Sequence, residues 1–176
     1  MLADPGATGA SMDEIAAAAG VTKPVLYRHF PSKQSLVLEV LSDATDRLSE
    51  ALRHATDQAD GSREQVEAGI GAFFHFIEAE PGLSELLFSN QVWRQSGFAE
   101  ELERFQIRMA EQVSLLLDVP GLDDSSRRFL GAAIVGMCDH SARMWLREGF
   151  TPSAEERARD LAEMAWLGLR GIQARS

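Results

Sequence analysis

Punctuation constrains this chain more than any other feature. Helix breakers stand at Pro5-Gly6, Gly20, Pro31, Gly61, Pro81-Gly82, Gly97, Pro120-Gly121 and Gly149 with Pro152. Between them apolar residues recur at helical spacing, and no alternating β-branched run is long enough for a strand. A chain cut this way is expected to be all-α. Ser11 has N-cap chemistry for a helix over about 12–19, with Glu14 at capping-box spacing, and Asp13 and Glu14 suit the helix dipole. Gly20 ends it. Thr22 is expected to cap a short second helix with Pro24 in its first turn, carrying Val25 to Phe30 and stopping at Pro31.

Ser32 then caps a long helix, about 32–58, in which Val37, Leu41, Ala44, Leu48, Ala51 and Ala55 form one stripe. Further helices are expected over about 62–80, after Pro81-Gly82, and over 98–117, 124–148 and 153–174. Two of these differ from the rest. The stretch from Phe129 to Leu146 is apolar nearly all round, and 153–174 carries two stripes: Leu161, Ala165, Gly168, Ile172 and Ala162, Trp166, Leu169. A helix apolar on two faces must be covered on two sides. The chain's own core is one cover and a second copy of the chain is the expected other, with Phe129, Ala133, Gly136, Trp145, Leu161, Ala165, Gly168 and Ile172 as candidate interface residues.

Composition excludes several classes. At 176 residues, with 45% apolar and 25% charged residues, the chain is neither disordered nor a disulfide scaffold. Its one cysteine, Cys138, has no internal partner, so a reducing, cytoplasmic setting is expected. No apolar window is long enough to span a membrane, since Phe129 to Leu146 is interrupted by Asp139 and Arg143. The N-terminus lacks a basic flank followed by an apolar run, so no signal peptide is expected. The net charge of −10 is unevenly spread. Residues 1–35 balance Asp4, Asp13 and Glu14 against Lys23, Arg28 and Lys33, so the remainder carries all of it. Between Gly20 and Ser35 stand Lys23, Arg28, Lys33 and His29 with no acid, a short locally basic segment on an acidic body.

Residues 11–36 read SMDEIAAAAGVTKPVLYRHFPSKQSL. Two short helices about a tight turn at Ala19-Gly20-Val21 make a helix-turn-helix. Gly20 supplies the positive φ. Ile15, Ala16, Ala19, Val21, Leu26 and Phe30 are the expected inward positions, and Thr22, Lys23, Val25, Tyr27, Arg28 and His29 the outward ones. A helix of this size fits a major groove. Tyr27, Lys33 and the helix starts near Ser11, Thr22 and Ser32 suit phosphate oxygens. The segment GVTKPVLYRHFPSKQSL resembles the helix-turn-helix signature of the TetR family of transcriptional regulators, through Gly20, Val21, Thr22, Leu26-Tyr27, His29-Phe30, Lys33 and Leu36. The strong match covers about residues 8–41.

The resemblance implies a DNA-binding headpiece over 1–41 and a helical effector-binding and dimerisation domain over 42–176. It implies a homodimer, on a palindromic double-stranded operator, that represses by default and responds to a small, fairly apolar effector. Ser11, Thr22, Lys23, Val25, Tyr27, Arg28, His29 and Lys33 are the candidate DNA contacts. The family also carries a further helix ahead of Ser11, of which only Met1-Leu2-Ala3 stands here. The expectation is therefore a truncated first helix, with Ile15, Leu26 and Phe30 each short of a packing partner worth roughly 1.5–3 kcal/mol. The alternative reading is a helical ligand-binding or protein-interaction module with a vestigial headpiece.

For the effector pocket the candidates are Phe73, Phe76, Phe88, Trp93, Phe105, Met109, Met137 and His140, taken from a middle bundle rich in Phe, Met and Leu. No catalytic group, metal site or cofactor is expected. His29, His54, His75 and His140 never pair at i,i+3 or i,i+4. Cys138-Asp139-His140-Ser141 has the letters of a catalytic group, but successive helical residues point about 100° apart and cannot converge. Asp139, His140 and Arg143 are better read as polar groups that pair with one another, with a ligand or across a dimer.

Overall fold

The computed structural model describes residues 10–88, 98–117 and 121–172. Those residues form helices and connecting turns, with no strand among them. In chain order the helices are α1 (Met12–Ala18), α2 (Lys23–His29), α3 (Lys33–Asp57), α4 (Ser62–Ala79), α5 (Pro81–Phe88), α6 (Ala99–Leu116), α7 (Asp124–Arg147) and α8 (Ala154–Arg170). The breakers set these bounds. Gly20, Gly61, Gly121 and Gly149 all have positive φ, and Pro24 sits in the first turn of α2. Capping boxes at Ser11 with Glu14, Ser32 with Ser35, and Ser153 with Glu156 open α1, α3 and α8. The final helix stops at Arg170 with Gly171 as its C-cap, short of the expected 174.

Two cores result. The small one joins Met12, Ala16, Leu26 and Leu36, with Ile15, Phe30 and Val40 packed against it. The large one begins one residue later, at Val37, and takes the α3 stripe through Leu41, Ala44 and Leu48. Val40 packs against both, so α3 is the shared beam. In the body, α3 lies along α4, α4 along α8, and α6 along α7. Gly131 permits the α6–α7 approach, because a Cβ there would lie 2.4 Å from the Ala110 carbonyl oxygen. Trp145 has no solvent exposure. It meets Phe74 and Phe150 edge-on and donates from Nε1 to the Pro152 carbonyl at 2.6 Å.

Some inward assignments need correction. Ala19 and Val21 are exposed, because the turn carries them past the small core, and Met12 fills the position instead. Trp145, Leu161 and Ala165 offer nothing to a second copy, since all three are buried in the chain's own core.

Candidate functional site

The N-terminal surface is built by local bonds. In α1 the Glu14 amide donates to Ser11 Oγ at 3.3 Å, while Ser11 N and Oγ donate to the Glu14 carboxylate at 2.7 and 2.8 Å. The backbone bond from Ser11, followed by its hydroxyl, holds the Glu14 carboxyl below its ordinary range. Gly20, at φ +68°, turns the chain, and the Val21 amide donates back to the Ala16 carbonyl at 3.0 Å. Thr22 occupies the N-cap of α2, yet its side chain makes no capping bond, contrary to expectation.

Within α2 only Leu26 is buried. Lys23, Val25, Tyr27, Arg28 and His29 are all exposed, with Tyr27 at 47%. Lys23 Nζ bonds Asp13 Oδ2 at 2.5 Å, which ties α2 to α1. Lys33 is half-buried at the start of α3 and adds to the lowering of the Glu14 pKa. Ser11 is exposed, but its hydroxyl is engaged in the capping box. The expected contact residues of α2 are thus exposed around a single buried leucine and carry hydroxyl, ammonium, phenol, guanidinium and imidazole groups. Such groups suit phosphate oxygens and base edges.

The body holds a cavity of about 340 Å³ between α3, α4, α6 and α7. Phe73, Phe88, Phe105 and Met109 line it, as the sequence pattern anticipates. Phe76, Met137 and His140 do not. Phe76 lies under the Arg47 guanidinium, His140 is on the exposed side of α7, and Met137 is half-buried away from the lining. Trp93 falls outside the described residues. Leu48, Leu52, Val66, Ile70, Ile134, Val135 and Cys138 also line the cavity and were missed. The signal was the stripe on 32–58 for Leu48 and the apolar stretch from Phe129 to Leu146 for Ile134, Val135 and Cys138, patterns that mark packed faces without saying where the packing leaves a gap.

Polar groups enter the wall at Arg53, Thr56, Asp57, Gln65, Gln106, Gln112 and Asp139. Arg53 bonds Glu50 and Asp57, and its hydrogen bond and charge hold the Glu50 carboxyl below the usual range. Arg143 grips Asp139 at 2.9 and 3.0 Å and also donates to the Phe88 carbonyl. Burial pushes the Cys138 thiol up to about 12, while His140 turns outward, so the two share no reacting centre. Among the described residues no three His, Cys, Asp or Glu side chains gather as a metal site. No helix among them is long and apolar enough to cross a membrane.

Apolar residues stand exposed on both α7 and α8. Phe129, Ala133, Gly136 and Gly168 are exposed, as expected of interface residues, and Ile172 is half-buried. Met144, Met164 and Leu167 are exposed too, at 44%, 54% and 57%, and were not anticipated.

The family described as bacterial regulatory proteins, tetR family, matches residues 1–40. The HTH-type transcriptional activator FasR of Mycolicibacterium smegmatis is 32% identical over 170 residues, covering 96% of this chain and 78% of that protein. A TetR-like transcriptional regulator from Rhodococcus sp. RHA1 superposes with a TM-score of 0.76 at 27% identity, covering 97% of this chain and 90% of that one. The transcriptional regulator FadR from Bacillus subtilis, solved in complex with stearoyl-CoA, shares the fold, with a TM-score of 0.81 at 16% identity over 98% of this chain and 94% of that one.

Proposed function

The chain belongs to the tetR family of bacterial regulatory proteins, and on that premise we propose a ligand-responsive repressor that binds a palindromic operator as a homodimer. The exposed side of α2 carries the proposal. A helix that buries only Leu26 and presents Thr22, Lys23, Val25, Tyr27, Arg28 and His29 is shaped to enter a major groove, with Lys33 on phosphate. Residues 1–41 form the DNA-binding unit in this reading, and 42–176 the effector and dimer unit. The dimer contact is assigned to the exposed apolar faces of α7 and α8, because Phe129, Met164 and Leu167 otherwise remain in water.

The cavity is the effector site. Its lining is largely apolar, and the B. subtilis relative was solved with an acyl-CoA. Ligand binding acts by favouring a body conformation whose paired headpieces no longer match successive grooves, which requires unequal affinity for the two states. Occupied operator means repression. FasR is named an activator and KstR2 of M. smegmatis, 29% identical, a repressor, so a reporter assay tests the sign directly.

The first test is fluorescence anisotropy on DNA from upstream of the chain's own gene, beside random DNA, at two salt concentrations. Binding is expected to prefer the upstream DNA, to weaken as salt rises, and to be lost in Tyr27→Ala. Equal affinity for random DNA would overturn the operator reading and favour a ligand-binding or protein-interaction module.

A further inference from the structure

The charges on the cavity wall decide what kind of molecule enters, an argument that rests on the cavity being the effector site. Among the described lining residues Arg53 is the one cation, and it is already held. It donates from Nε and Nη2 to Glu50 at 3.1 and 2.6 Å, and from Nη1 to Asp57 at 2.6 Å. Two carboxylates also line the wall, Asp57 and Asp139. Arg143 takes both oxygens of Asp139, with side-chain exposure of only 13% and 24% for the pair.

An anion entering here would lose its water and meet no unpaired cation among the described lining residues, at a high desolvation cost. A cation would find both carboxylates engaged. The polar wall groups without a hydrogen-bond partner among the described residues include the carboxamides of Gln65, Gln106 and Gln112, which donate and accept without charge.

We propose that the cavity selects an uncharged amphiphile, an elongated apolar body with one neutral polar group such as a hydroxyl or ester. At 340 Å³ the body has room for about a dozen methylene-sized groups, taking ~30 Å³ for each as for a water. The wall discriminates by charge rather than by length alone.

The test is calorimetric titration of the full chain at neutral pH with three probes of equal chain length, 1-decanol, decanoate and decylammonium, each below its micellar concentration. Decanol is expected to bind about tenfold or more tighter than either ion. Ile134→Phe, which fills the cavity, is expected to abolish that binding with the melting curve retained. Asp139→Asn leaves Arg143 without its carboxylate and is expected to raise decanoate affinity selectively. Decanoate binding as tightly as decanol to the unaltered chain would overturn the charge rule alone. Absence of binding by every probe, or decanol binding undiminished by Ile134→Phe, would overturn the effector-site reading together with it.

Discussion

Among the described residues, the core beneath the N-terminal helices contains four buried side chains, Met12, Ala16, Leu26 and Leu36, while that of the body runs through twenty-two, from Val37 to Ala165. The small region compensates with local bonds. Two capping boxes, the Gly20 turn and the Lys23–Asp13 pair fix its shape while nearly all of α2 stays exposed. The body does the reverse: it fixes its shape by burial and can therefore tolerate a cavity in its middle. A surface that reads a partner must remain uncovered, so its stability has to come from bonds along the chain. A site that encloses a ligand needs walls held from behind.

The largest expected effect is in the body. Trp145→Ala removes a side chain with no exposure, two aromatic contacts and the bond to Pro152, at a cost of about 3–5 kcal/mol. Denaturant unfolding should show the midpoint fall for the whole chain. Leu26→Ala should cost less, about 2–3 kcal/mol, because the small core has fewer neighbours to lose. Its effect should be confined. Hydrogen exchange should quicken at the α1 and α2 amides while the amides of α4 and α7 keep their protection. Quickening everywhere would show that the two cores unfold as one.

Two glycines sharpen the comparison at a smaller scale. Gly131→Ala drives a Cβ against the Ala110 carbonyl oxygen and should cost about 1–3 kcal/mol by separating α6 from α7. Gly20→Ala meets no atom within 4 Å, so its cost is conformational, about 1–2 kcal/mol for holding an alanine at φ +68°. Melting curves should report the first. The second should appear chiefly as weaker operator binding, because the turn sets the angle at which α2 is presented.

Helix bounds and the α2 surface were legible in the sequence because local chemistry sets them. A serine three residues before Glu14, a glycine at a turn and a proline after Phe30 act on their immediate neighbours. The cavity was legible only in part. Phe73, Phe88, Phe105 and Met109 line it, yet Phe76 and Met137 carry the same chemistry and do not, since packing of α3, α4, α6 and α7 decides where the gap falls. The interface assignment failed at Trp145, Leu161 and Ala165 for a related reason. A helix apolar on two faces does not say which face its own chain covers; here Trp145 of α7 packs on Phe74 of α4, and Leu161 and Ala165 are buried in the core on α8, which lies along α4.

The smallest expected effect is acid sensitivity, and it should separate the two regions by pH. Glu14 at the start of α1 and Asp123 at the start of α7 are both exposed carboxylates whose pKa is lowered, first by a backbone bond, from Ser11 and Ser126 respectively. A lowered folded pKa means that each contributes stability above its unfolded value and loses it as pH falls through the folded one. The unfolded values, 4.5 for Glu14 and 3.8 for Asp123, open the two windows in that order. On acidification α1 should begin to lose amide protection before α7. Glu14→Gln should flatten the response of α1 alone, because an amide oxygen still accepts the Ser11 N–H but takes up no proton in this range, and Asp123→Asn should do the same for α7. Carboxyl titration by NMR checks the premise. A Glu14 carboxyl titrating at or above 4.5 would mean that the capping box does not hold α1 in solution, and that the small core alone carries the N-terminal region.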